Sequence, residues 1–131
     1  MYDKMLLKKV MLLGISEGLK RGTIEIMILS LLKSQDMYGY QLCQELEKKS
    51  KGLFILQEGS LYPSLYRMLE KGYISDKKEQ VGKRRVRVYY HIEPRGIDYF
   101  EEIKKEYFSL NRGILFALGF GDLEDFINGS N

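Results

Sequence analysis

The chain has 131 residues, 44% of them apolar, which is enough for one domain with a real core and too apolar for wholesale disorder. Its 21 basic and 18 acidic side chains leave a net charge of only +3, so distribution says more about partners than the sum does. A single cysteine, Cys43, excludes an internal disulfide framework, and a single histidine, His91, excludes catalytic or metal arrangements that need two.

In chain order, residues 4–13 read as a short amphipathic helix. Lys4, Lys8 and Lys9 interrupt its apolar residues, so neither a signal peptide nor a membrane span is expected, and the chain is expected to stay in the cytoplasm. Thr23 is the expected N-cap of a helix carrying Ile24, Met27, Ile28, Leu31 and Leu32 at helical spacing. A second helix over residues 39–49 buries Leu42 and Leu46 with Tyr40 or Cys43, and Lys51-Gly52 closes it. A third helix is expected over residues 60–71. Pro63 would sit in its first turn, where backbone N–H groups have no intrahelical partner, and Gly72 would stop it.

After Gly72 the period changes to two. Val86, Val88, Tyr90 and Ile92 should form a buried face, alternating with Arg85, Arg87, Tyr89 and His91. Residues 73–79 are the expected antiparallel partner, with the turn at Val81-Gly82-Lys83. Pro94 then opens a long helix whose seam, Phe100, Ile103, Tyr107, Leu110, Ile114 and Ala117, steps alternately by three and four as in a coiled coil. Gly113 weakens it midway, Gly119 and Gly121 end it, and residues 122–131 read as a short acidic tail.

Three helices followed by a small antiparallel β-hairpin, in a mostly α chain, is the layout of a winged helix-turn-helix. The expected organisation is an N-terminal helix over 1–20, the winged helix-turn-helix over 21–93, a dimerisation helix over 94–118 and the tail over 119–131.

Within this layout the third helix has a core stripe of Leu61, Leu65 and Met68. A second stripe, Ser60, Ser64, Arg67 and Lys71, is small and basic, with Tyr62 and Tyr66 on the flank between. Small residues let a helix sink into a major groove, Arg can read guanine or clamp a phosphate, and Ser and Tyr hydroxyls can bond phosphates. An ordinary solvated stripe would look the same. The hairpin is more specific. From Asp76 to Arg87 there are six basic and two acidic residues, and Lys83, Arg84, Arg85 and Arg87 gather at and just after the tip, where phosphates or a minor groove would be met. A charged tip that merely prevents edge association is the bland alternative. Helix and wing together point to double-stranded DNA as partner.

No phosphate loop, dinucleotide fingerprint or paired-carboxylate motif is present, so no enzyme and no cofactor is expected. His91 shares the wing face with Arg85 and Arg87, and Cys43 is expected as a buried structural thiol. The long helix is rich in aromatics. These either pack between subunits or form, through Tyr99, Phe108 and Phe116, a flat apolar pocket at the dimer interface for a small aromatic effector.

Three ordered motifs resemble the PadR-like family of transcriptional regulators. Met37-Tyr38-Gly39-Tyr40-Gln41-Leu42 resembles the family's Tyr-Gly-Tyr-Glu-Leu segment. Glu58-Gly59-Ser60-Leu61-Tyr62-Pro63-Ser64-Leu65-Tyr66-Arg67-Met68 resembles Pro-Gly-Thr-Leu-Tyr-Pro-x-Leu-x-Arg-Leu. Gly82 to Ile92 resembles the family wing with its Tyr-Tyr strand. Gln41 replaces the common Glu, Glu58 a Pro, and Glu93 a frequent Thr.

The resemblance implies a homodimer, a recognition helix in the major groove, wings on flanking DNA and, usually, repression at a near-palindromic operator. It places Tyr38 and Gly39 near phosphate, Ser60, Tyr62, Pro63, Ser64 and Arg67 at the recognition face beside Tyr66, and Lys83, Arg84 and Arg85 on the wing. It also implies that the 4–13 helix, through Leu6 and Val10, packs on the partner subunit beside the long-helix seam of Phe100, Ile103, Tyr107, Leu110 and Ile114. The competing expectation is a winged-helix protein-interaction module whose basic wing meets an acidic partner and reads no DNA sequence.

Overall fold

The structure is a computed structural model and describes residues 23–121. The expected 4–13 helix, with Leu6 and Val10, and the 122–131 tail lie outside the described residues. Among the described residues, four helices and a three-stranded antiparallel sheet follow in the order α1 (Ile24–Ser34), β1 (Met37–Tyr38), α2 (Gly39–Lys49), α3 (Glu58–Glu70), β2 (Ile74–Val81), β3 (Arg85–Ile92) and α4 (Pro94–Ala117).

α1 forms because apolar residues recur at helical spacing, and it buries Ile28, Leu29, Leu31 and Leu32 almost completely. Thr23 holds the N-cap position with near-helical backbone angles and makes no side-chain capping bond, while its carbonyl accepts the first intrahelical bond, from the Met27 N–H at 3.1 Å. α2 presents Leu42 and Leu46 to the same core, leaving Tyr40 exposed and Cys43 half-buried. It ends where Lys51 and Gly52 both take positive φ and the Gly52 N–H reaches back to the Glu47 carbonyl at 2.8 Å.

α3 begins at Glu58, two residues before the expected start, so Pro63 stands sixth in the helix and not in its first turn. The helix accommodates it at its beginning. The Gln57 carbonyl accepts from both Ser60 N–H and Leu61 N–H, and the carbonyl that Pro63 cannot serve belongs to exposed Gly59, open to solvent. Leu61, Leu65 and Met68 are fully buried, as their four-three spacing predicts.

The hairpin runs from Ile74↔Ile92 out to Val81↔Arg85 and turns through Gly82, whose φ is +80°. Its alternation holds only near the body. Tyr90 and Ile92 are buried, whereas Val86, expected on the buried face, is 59% exposed because the distal hairpin projects beyond the helices. The third strand was not expected. β1 pairs with β3 through Met37↔Tyr90 and Tyr38↔Tyr89, which places Met37 in the core.

α4 is continuous through Gly113 and about 36 Å long. Its start is fixed by a close approach. Gly96 lies against the Tyr73 carbonyl, which also accepts from the Glu93 N–H at 3.0 Å. Phe100 corrects the expected seam: it is 5% exposed and belongs to this chain's own core, with Lys33 and Lys104 over its ring. Ile103 is partly buried against that core, and Tyr107, Leu110, Ile114 and Ala117 continue the seam as exposed residues.

Candidate nucleic-acid interface

The backbone brings β1, the start of α2, the start of α3 and the wing to one side of the molecule. β1 holds Tyr38 beside β3, where its ring meets Tyr89 edge-on at 5.5 Å and the Arg87 guanidinium lies 4.3 Å from its centroid. This contact ties a wing cation to the start of α2. Tyr38, Tyr40, Glu58, Arg85 and Arg87 line one open recess of about 470 Å³. Gly39 leaves room for the Tyr62 hydroxyl, which crosses from α3 to the start of α2: a Cβ there would lie 2.7 Å from it, and the tyrosine tip would have to shift. Tyr62 and Tyr66 follow one another along α3 with ring centroids 6.0 Å apart. Burial first, then the charge of Glu58, pushes the Tyr62 hydroxyl up from its usual range, so it stays a hydrogen-bond donor. Lys83 and Arg84 are exposed at the turn.

The helix therefore has two polar flanks. Tyr62, Tyr66 and Glu58 lie toward the wing and α2. Ser60, Ser64, Arg67 and Lys71 lie on the other flank, with exposed Pro63 at the crest between them. Ser60 and Ser64 are half-buried. Arg67 has an engagement within the chain that the sequence reading does not anticipate. Its guanidinium is engaged by the Glu25 carboxylate of α1, which is only 12% exposed and also accepts from the Tyr99 hydroxyl of α4 at 2.5 Å. Lys71, Tyr73 and Tyr99 close the recess around this pair, and Tyr73 and Tyr99 stack at 4.1 Å. The cluster joins α1, α3 and α4 and turns Arg67 away from the wing side. Burial and the bond to Glu25 hold the Tyr99 hydroxyl protonated far above its usual range.

Within one subunit Tyr99, Phe108 and Phe116 do not face one another. Tyr99 is committed to Glu25 and Tyr73, and Phe108, nine residues on, points about half a turn away around α4. Phe108 and Phe116 are both exposed, and neither shares the direction of Tyr107, Leu110 and Ile114.

His91 lies at the base of the wing strand with Nδ1 2.7 Å from Asp36 Oδ1. That hydrogen bond raises its pKa above the ordinary 6.5, against a smaller opposing effect of burial. A raised folded-state value means the pair's stabilisation is fully present below the unfolded pKa and is lost as pH rises through the folded one. Both side chains are more than half exposed, so the contribution to stability is under about 1 kcal/mol. An NMR titration of the one imidazole should show a midpoint above 6.5 that falls in Asp36→Asn, and an unchanged midpoint would contradict the pairing. The Cys43 thiol is pushed up by burial and then by Glu58, which disfavours the reactive thiolate. Among the described residues no cluster of three His, Cys, Asp or Glu side chains could hold a metal, and no helix is long and apolar enough to cross a membrane.

A helix-turn-helix with a basic wing alongside the start of its third helix defines a winged-helix DNA-binding protein. Residues 28–102 match the model of the PadR-like family of transcriptional regulators, and the chain belongs to that family. It is similar to a transcriptional regulator from Clostridium thermocellum, with 30% identity, a TM-score of 0.70, and coverage of 78% of this chain and 98% of that one. An uncharacterised protein of Lysinibacillus sphaericus is 32% identical over 66% of this chain and 80% of its own length. The fold is also shared with Bacillus subtilis PadR, solved in complex with operator DNA, at 18% identity and a TM-score of 0.57 over 61% of this chain and 46% of that one. The chain is a DNA-binding transcriptional regulator, not an enzyme.

Proposed function

We propose that the chain acts in the cytoplasm as a homodimeric repressor of a near-palindromic operator. In each half-site α3 enters the major groove by its crest and wing-side flank, through Pro63, Tyr62 and Tyr66, with Ser60 and Ser64 of the other flank left to the groove wall. Tyr38 and the α2 start at Gly39 meet the backbone, and Lys83, Arg84, Arg85 and Arg87 grip flanking phosphates. The observation that carries this is the recess in which Arg85 and Arg87 of the wing meet Tyr38 and the first residue of α3, so that wing and helix present one continuous surface. Operator DNA in the complex of Bacillus subtilis PadR supports the same class of partner here.

Dimerisation is supported by Tyr107, Leu110 and Ile114, a three-four-spaced apolar stripe exposed on the half of α4 that extends past the core residue Phe100. Two copies would place two recognition helices about one helical turn of DNA apart. This function needs no effector site formed by Tyr99, Phe108 and Phe116.

The wing supplies the test. Arg84→Ala should weaken binding on all duplex sequences alike and reduce the slope of log affinity against log salt by roughly 1 per subunit, as expected for loss of one phosphate contact. Fluorescence anisotropy over a salt series reads it. An Arg84→Ala protein with the wild-type affinity and slope would remove the wing from the interface.

A further inference from the structure

The recess lined by Tyr38, Tyr40, Glu58, Arg85 and Arg87 contains one group of the wrong sign for a phosphate surface. Glu58 is exposed, and no ion pair reaches it among the described residues. Its charge is felt locally, since it adds to burial in raising both the Cys43 thiol and the Tyr62 hydroxyl. A carboxylate at this place repels the DNA backbone unless it meets a donor, and the donors on a major-groove edge are exocyclic amino groups. Guanine offers only acceptors there and thymine an acceptor and a methyl group. Adenine sets its N7 acceptor beside N6 and so opposes the second carboxylate oxygen. Cytosine N4 has no acceptor beside it within its own edge, and Glu is a recognised acceptor for it.

We propose that Glu58 is a specificity-determining residue that accepts a hydrogen bond from the N4 amino group of one cytosine in each half-site. Arg85 and Arg87, in the same recess, offset its charge where the backbone comes near. The proposal rests on the operator-reading function above. It also explains how a residue that weakens phosphate binding can sit in the centre of the surface: it lowers affinity for every sequence and returns it only where cytosine is present.

The test is selection from a random duplex pool with the full chain, as wild type, Glu58→Ala and Glu58→Gln, followed by anisotropy on the wild-type consensus and its cytosine-to-thymine version. Circular dichroism melts establish that each variant folds, and Glu58→Gln is isosteric at an exposed position. Wild type should enrich a fixed cytosine in each half-site and lose about tenfold or more on thymine substitution. Glu58→Ala should lose that preference to within about twofold, and Glu58→Gln should move it toward adenine, which glutamine reads through N6 and N7. A residue that served only to stabilise α3 through its helix dipole would change affinity on all duplexes alike and leave the motif intact. A wild-type motif retained unchanged in both variants would overturn the proposal alone. A wild-type chain that enriches no motif would overturn operator reading and the proposal with it.

Discussion

Gly96→Ala is expected to be the most damaging single-methyl change in the described chain. An added Cβ would stand 2.0 Å from the Tyr73 carbonyl oxygen, 2.9 Å from its carbon and 3.0 Å from Ile92 Cγ1. The first two are backbone atoms and cannot rotate aside. Relief requires moving the first turn of α4 off the link between α3 and β2, which also loosens the bond from the Glu93 N–H to the same carbonyl. Overpacking against backbone together with a weakened backbone hydrogen bond should cost about 3 kcal/mol, or roughly 10 °C in Tm. Gly113→Ala is the internal contrast. It lies in the same helix with nothing within 4 Å of the added carbon, and alanine is the better helix former, so stability should rise by about 0.5–1 kcal/mol. Thermal denaturation of both variants at one protein concentration reads the pair. Equal melting temperatures would contradict the close approach at Gly96.

Arg67→Ala is expected to act on stability more than on DNA. The guanidinium is itself 57% exposed, but its partner Glu25 is buried between α1, α3 and α4. Removing Arg67 leaves that carboxylate with the Tyr99 hydroxyl as its remaining hydrogen-bond donor among those described. An under-compensated carboxylate at 12% exposure should cost about 2 kcal/mol, below the 3–5 kcal/mol of a fully buried pair because the arginine is half in solvent. Glu25→Ala should cost a similar amount and the double variant less than the sum, since the two changes remove one shared interaction. DNA affinity should change less than about threefold, far from the 1–3 kcal/mol expected of a base-reading arginine. A variant that melts like wild type and yet loses sequence preference would return Arg67 to the reading surface.

The contrast between these two positions shows what could be read from sequence. The buried stripe Leu61, Leu65 and Met68, the extent of α2 and the basic wing all follow from periodicity and punctuation, because core burial imposes a repeat on the residues that meet it. The resemblance places Tyr38 and Gly39 at the start of α2 near phosphate, and the approach of Tyr62 from α3 to Gly39 is seen only in the structure.

Several features carry no such repeat. β1 is two residues long, too short for an alternation, and exists because β3 offers Tyr89 and Tyr90 as pairing partners. Val86 obeys the alternation but stands on a hairpin that outruns the core, and the sequence contains no measure of how far the helices extend beneath it. A helical wheel locates Arg67 on a polar flank but cannot say that Glu25, 42 residues earlier, waits there. Phe100 fits the three-four seam perfectly well and is still consumed by its own chain's core, because the seam's first turns pack on α1 before the helix emerges. Glu58 escaped notice as a site residue for a related reason. It read as a departure from a family motif, and only the structure shows that it shares a recess with Arg85 and Arg87.

The surface formed by the crest of α3 and the wing is tested most directly by wild-type fluorescence anisotropy on a pool of random duplexes across a salt series, with the retained duplexes sequenced. Operator reading by a dimer predicts a steep log-log salt slope and an enriched near-palindrome bound in the nanomolar range. Weak binding with a shallow slope and no enriched motif would contradict it and leave the basic wing to an acidic protein partner.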